Sequence, residues 1–205
     1  MHRARRLASA AAGGTALAVA LDVAESRDVS EVVARTQREF GGIDVLVHAA
    51  GICPRRNILE MSDDEWRDVL RINLDGTFYV TRDVGRIMAA QRSGTMVLVT
   101  SDRGIYGSID YAHYAASKGG QIALTRSLAL ALGQYGVTVN GINPGLTDTP
   151  LGRAAATAWE EKRALDVLQG FSRPEEIAET ILFLAGTAGR YTTGQVFGTR
   201  TRHGA

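Results

Sequence analysis

The sequence holds little that could cross-link it, bind it to a polyanion or carry it through a membrane. A single cysteine, Cys53, stands among 205 residues, so no disulfide can form within the chain and a reducing compartment is expected. Cys53 reads as a bland small residue rather than a reactive thiol. Charge of one sign is not in excess: 23 Lys and Arg stand against 22 Asp and Glu, a formal net of +1. That balance argues against a nucleic-acid or acidic-membrane partner. No stretch is long and apolar enough to span a bilayer. Repeats and low-complexity linkers are absent apart from an alanine-rich start, and no metal site is expected. What remains is 45% hydrophobic and 22% charged residues, ordinary for a globular protein, and residues 1–205 are read as one domain with a sizeable core. His2, Arg3, Arg5 and Arg6 before a weakly apolar run imitate a secretory signal. Ser9, Gly13, Gly14 and Thr15 interrupt that run, so a cytoplasmic protein is expected.

Short apolar runs alternate with helical patterns. Ala16 to Val23, "ALAVALDV", reads as a buried strand. The next segment puts Val29, Val32, Val33, Thr36 and Phe40 on one helical face, with Asp28 as N-cap and Gly41-Gly42 as the stop. "IDVLVHAAG" reads as a second buried strand. "SDDEW" opens a long helix, with Ser62 and Glu65 spaced as a capping box. "GTMVLVTS" and "GVTVNGINPG" read as strands, "AHYAASKGGQIALTRSLALAL" as a long helix between them. "SRPEEIAETILFLAG" reads as a helix capped by Ser172 with Glu175 three residues on, and "TTGQVF" as a last short strand. Near-continuous apolar strands alternating with helices predict an α/β fold, a parallel sheet covered on both faces. In such folds ligands sit beyond the carboxyl ends of the strands. Gly51, Ser101 and Pro144-Gly145 all fall there.

The chemistry centres on Tyr114 and Lys118. A free tyrosine is a poor acid at neutral pH, and a nearby ammonium makes its hydroxyl more acidic. Positions i and i+4 share a helical face, so this spacing brings the lysine beside the tyrosine. The chain has only two lysines, Lys118 and Lys162. Ser101, thirteen residues before Tyr114, ends an apolar strand in a turn with Gly104 and Gly107. Its hydroxyl can donate to a substrate oxygen as charge develops there, or it can simply form the turn. Tyr111 and His113 lack a lysine four residues on and read as pocket or surface residues.

The segment "VTSDRGIYGSIDYAHYAASKGG" closely resembles the active-site region of the short-chain dehydrogenases/reductases. "LDV", "DVLVHAAGI", "RINLDGTF", "NPGLTDTP", "RPEEIAETILFLA" and "TTGQVF" follow that family's order, and the resemblance covers nearly the whole chain. It implies a Rossmann-like doubly wound parallel sheet and reversible hydride transfer between NAD or NADP and an alcohol or carbonyl. The implied substrates are secondary alcohols, polyols, sugars or 3-oxoacyl (beta-ketoacyl) thioesters. By the same resemblance Tyr114 is the acid–base residue, and Lys118 lowers its pKa and bonds the nicotinamide ribose. Ser101 orients the substrate oxygen. Asn73 holds a water linking Lys118 to solvent, where the residue alone also reads as a helix-interior asparagine bonded to backbone. Asp22 and Val23 meet the adenine, Gly51 lets the backbone approach the cofactor, and Pro144, Gly145 and Thr149 line the nicotinamide side. A homo-oligomer, tetramer or dimer, is implied, with the "SDDEW" and "YAASK" helices packing across subunits. Leu146 to Gly170 is the expected substrate-covering segment.

Three features depart from the family pattern. His48 and Ala49 stand where the family has two asparagines, and His48 reads as a packed strand-end histidine. The tail "TTGQVFGTRTRHGA" lacks the usual Asp-Gly-Gly stretch. No TGxxxGxG turn occurs anywhere, and "RARRLASAAAGG" resembles the end of the family's next helix. The sheet is therefore expected to be N-terminally truncated, without strands one and two. In the 3-2-1-4 order these lie between strand three and strand four, and the turn between them carries the pyrophosphate site. Met1 falls inside a helix pattern, which points to a natural chain with an earlier start. The alternative expectation is a non-catalytic relative that acts as a binding or subunit-assembly protein.

Overall fold

The computed structural model describes residues 13–156 and 171–198. Four strands form one sheet in the order β1 (Val45–His48), β2 (Gly94–Val99), β3 (Val137–Asn143), β4 (Val196–Gly198), every pair parallel. The register sets His48 beside Leu98, Val99 beside Ile142 and Asn143 beside Gly198, so the carboxyl ends of the strands lie along one edge. Between them run α1 (Ser26–Phe40), α2 (Asp63–Leu70), α3 (Gly76–Gln91), the short α4 (Arg103–Tyr106), α5 (Ala112–Leu132), α6 (Pro150–Ala155) and α7 (Pro174–Ala185).

Helices cover both faces. Val29 of α1, Val80, Val84 and Met88 of α3 and Ala129 of α5 pack with Met96, Val137 and Val139 on one side. On the other side Ile177 and Leu184 of α7 pack with Val97 and Ile142. Neighbouring strand residues point to opposite faces, which is why Met96 and Val97 belong to different clusters. The outcome is an α/β, Rossmann-like sheet lacking the family's N-terminal part. Among the described residues no helix is long and apolar enough to cross a membrane.

Several local expectations change. Ala16 to Val23 forms no strand and is exposed or half-buried throughout. An extended segment becomes a strand only where a neighbour takes up its backbone donors and acceptors, and none lies beside it among the described residues. Val23 instead packs on α3, where a Cβ at Gly76 would come within 2.9 Å of its Cγ2. β1 is not the buried strand expected: Val45 and Val47 are 43% and 45% exposed, because one face is uncovered. Asp28 is not an N-cap. Asp22 Oδ1 accepts from Ala24 N at 2.9 Å, the chain turns early, and α1 starts at Ser26 with Asp28 in its first turn. There its charge still favours the helix N-terminus. Ser172 does not cap α7 either. Pro174 takes the first helical position, Arg173 the cap, and Glu176 accepts the Arg173 N–H at 2.8 Å. Ser172 instead bridges to Thr147. The Ser62–Glu65 capping box forms as expected, with bonds of 3.2 and 2.9 Å. The "RARRLASAAAGG" segment up to residue 12, residues 157–170 with Trp159, and the tail from residue 199 lie outside the described residues.

Candidate active site

Two structural irregularities bring the chain's distinctive residues together. Between α2 and α3 the helix widens into one π turn, Arg71–Asp75, with Asn73 at its centre and fully buried. Such turns re-aim a side chain within an otherwise continuous helix. Asn73 turns toward the loop after β1: its Oδ1 accepts from Ile52 N at 2.8 Å and its Nδ2 donates to Ile52 O at 2.9 Å. The same Nδ2 reaches Ser117 Oγ on α5 at 3.1 Å. These bonds hold the Gly51 loop against α5, and a Cβ at Gly51 would lie 3.1 Å from Asn73 Oδ1 and 3.9 Å from Lys118 Nζ. Asn73 is thus backbone-bonded, as the residue alone suggested.

The second irregularity is the turn after β2. Arg103 N donates to Ser101 Oγ at 3.2 Å, and α4 follows directly. α4 meets α5 at Gly104, where a Cβ would come within 2.6 Å of the Gly119 nitrogen and the Lys118 carbonyl carbon. Only a bare α-carbon allows that approach. It sets the Ser101 turn directly over the helix that carries Tyr114 and Lys118.

Ser101 and Tyr114 line one small cavity with Cys53, Asp102, Arg103 and Gly145, and α6 closes its far side through Leu151, Gly152 and Ala155. Its volume is about 60 Å³, the size of a functional group rather than of a whole metabolite. Arg103 is buried there, with Nη2 donating to Ala155 O at 2.7 Å and its guanidinium 4.0 Å from the Tyr111 ring centroid. Tyr111 donates to the same carbonyl at 3.0 Å. His113 is buried too, its Nδ1 accepting from Tyr114 N at 2.9 Å. Tyr111 and His113 are therefore packing residues beside the cavity rather than surface groups.

Burial dominates the electrostatics. It pushes the Tyr114 hydroxyl above its ordinary value; neighbouring Cys53 and Asp102 add to this, while Ser101 and Arg103 pull the other way. Lys118 Nζ stands 5.6 Å from the Tyr114 ring centroid. Burial also brings Lys118 down to about 8, opposed by Cys53. His48 is brought to about 4, by burial first and the Lys118 charge second, so it is a neutral, packed histidine at the end of β1.

Other expected residues lie further out. Thr149 spends its hydroxyl on the Gly152 N–H at 3.0 Å, as the N-cap of α6. Asp22 is exposed and bonded to its own turn. Pro144 does not line the cavity, whereas Gly145, with φ of 65°, does. The sequence reading missed Arg103 and Gln121. Their signals were present: an arginine two residues past the serine, and one glutamine on the buried side of an apolar helix.

A sequence profile described as enoyl-(acyl carrier protein) reductase matches residues 1–199. The chain is 38% identical over 179 residues to a 3-oxoacyl-(acyl-carrier-protein) reductase of Thermotoga maritima, covering 87% of this chain and 73% of that one. It is 39% identical over 201 residues to the short-chain reductase protein NovJ of Streptomyces niveus, covering 94% and 76%. With the L-rhamnose 1-dehydrogenase (NAD(P)(+)) of Azotobacter vinelandii it shares 34% over 189 residues, covering 90% and 74%. With its parallel sheet, its serine after β2 and its tyrosine and lysine on α5, the chain belongs to the short-chain dehydrogenase/reductase family.

Proposed function

We propose that the protein is an NAD(P)-dependent oxidoreductase that interconverts an alcohol and a carbonyl, with Tyr114 as the acid–base residue. The observation that supports this best is the shared cavity of Ser101 and Tyr114, with Lys118 buried alongside. A carbonyl oxygen in that cavity would accept from both hydroxyls. Tyr114 would deliver its proton as charge develops on the oxygen, and Ser101 would hold the oxygen in line.

The residues present suit the nicotinamide half of the cofactor. Gly51 leaves its backbone bare, Gly145 opens the cavity wall, and Thr147 Oγ1 is buried without a partner among the described residues. Lys118 and Tyr114 would hold the ribose, with Pro144, Gly145 and Thr149 on the nicotinamide side and Asp22 and Val23 toward the adenine. NAD or NADP, when bound, supplies or accepts the hydride. Ser101 and Tyr114 position the oxygen, and α6 keeps water from it. The substrate classes suggested by the relatives are a 3-oxoacyl thioester and a sugar, with other secondary alcohols and polyols beside them. The same reading makes the protein a cytoplasmic homo-oligomer, tetramer or dimer, meeting through α3 and α5, where Phe78 and Leu130 are exposed. A second reading, a binding or assembly protein without turnover, draws on the sequence's want of a TGxxxGxG turn.

The test is NADH and NADPH oxidation with an acetoacetyl thioester, and NAD(P)⁺ reduction with L-rhamnose. Tyr114→Phe should lower kcat at least about 100-fold. Turnover near the parent's would remove Tyr114 from this role, and a folded parent with no turnover on any substrate would favour the second reading.

A further inference from the structure

An ammonium carries three N–H donors and no acceptor. Lys118 spends one on the Val99 carbonyl at the end of β2, at 2.8 Å, and one on Gln121 Oε1, at 2.9 Å. Gln121 lies three residues along α5 and is 1% exposed. The other end of its amide is equally committed. Nε2 donates to the Asn73 carbonyl at 2.6 Å and to Thr77 Oγ1 at 2.6 Å, both across the gap to the π turn and α3. Thr77 in turn donates to the Asn73 carbonyl at 2.5 Å.

These partners fix the amide's direction. The Asn73 carbonyl can only accept and the ammonium can only donate. Turning the amide over would set oxygen against oxygen and N–H against N–H⁺. Gln121 is therefore a one-way connector, its oxygen on the charge and its nitrogen on the π turn. A buried ammonium is tolerated only where acceptors replace water. A neutral amide supplies one acceptor without adding a counter-charge that would hold the lysine in an ion pair. The third Lys118 donor has no hydrogen-bond acceptor among the described residues.

We propose that Gln121 is a positioning residue: it holds the Lys118 ammonium between β2 and the π turn that carries Asn73, and leaves one N–H of the lysine for a ligand. What that N–H then does rests on the oxidoreductase reading; the connection itself does not. The titratable groups around Lys118 are His48 from β1, Cys53 from the loop after it and Tyr114 from α5 itself.

The test uses the two lysines of the chain. Protein labelled with ¹⁵N-lysine gives two side-chain signals, and Lys162→Arg assigns the remaining one to Lys118. Both are titrated without cofactor or substrate in the parent, Gln121→Leu and Gln121→Glu. Gln121→Leu removes the acceptor and should shift the Lys118 midpoint down tenfold or more in proton concentration. Gln121→Glu supplies a charged acceptor and should shift it up by a similar factor, with Lys162 unmoved in both. A packing role alone would lower the melting temperature and leave both midpoints in place, which would overturn the proposal. Where circular dichroism finds Gln121→Leu unfolded, the glutamate variant decides: a raised midpoint supports the proposal and an unmoved one overturns it. Shifted midpoints in a protein without turnover would keep the positioning role and remove only the oxidoreductase reading.

Discussion

His48, Lys118 and Tyr114 share one buried neighbourhood, and burial moves each toward its neutral form. For His48 this has a consequence for stability. The unfolded chain takes up a proton as pH falls through about 6.5, while the folded chain holds off until about 4. Between those values the unfolded state binds more protons, so stability is lost as pH falls. Asparagine, which the family pattern has here, does not titrate. His48→Asn should therefore lose about 2 kcal/mol less than the parent between pH 7 and pH 4.5, read from urea unfolding at both. Parallel losses in the two proteins would put the titrating group elsewhere. Side chains of this kind were only half legible in the sequence. Spacing alone set Tyr114, Lys118 and Ser101 apart as chemistry. It could not tell how far burial would raise the tyrosine hydroxyl, because burial depends on what α4 and α6 lay over the site.

At the scale of elements, the contact of α4 with α5 depends on Gly104. Gly104→Ala would place a methyl within 2.6 Å of backbone atoms of Lys118 and Gly119, which cannot move aside without shifting α5. The variant should lose about 1–3 kcal/mol of stability, the usual range for forcing a methyl into a packed contact. It should also disturb the cavity, since the Ser101 turn rides on α4. Urea unfolding gives the first result and turnover the second; a midpoint equal to the parent's would mean that the contact yields freely. Helix ends show which local signals carry. The Ser62–Glu65 box forms at the start of an exposed helix, with Glu65 also paired to Arg56. Asp28 and Ser172 carry the same kind of signal and lose it to stronger local constraints, the Asp22 turn in one case and Pro174 in the other. The π turn had no legible sequence signal at all, because it is set by where Asn73 finds its partners in the Gly51 loop and α5.

For the whole molecule, the parallel sheet followed from the alternating pattern, since parallel neighbours need helical crossovers. Ala16–Val23 misled for the complementary reason: its residues suit a strand, but strand formation depends on a neighbour that sequence pattern does not report. The sheet from β1 to β4 and helix α5 nonetheless carry Gly51, Ser101, Tyr114, Lys118 and Gly145, with Asn73 and Gln121 tying the Gly51 loop to Lys118. The nicotinamide half of a dinucleotide should therefore find its contacts ready. A ligand that binds the folded chain alone raises its stability by about 2.7 kcal/mol at a hundred times its Kd. For a chain of this size that is a rise of about 5–10 °C in Tm. NADH or NADPH should produce it, with saturable quenching or enhancement of nicotinamide fluorescence, and the stronger ligand of the two would set the cofactor preference. A chain with native circular dichroism whose Tm neither dinucleotide moves would mean that these contacts are too weak to hold the cofactor without a glycine turn for its pyrophosphate.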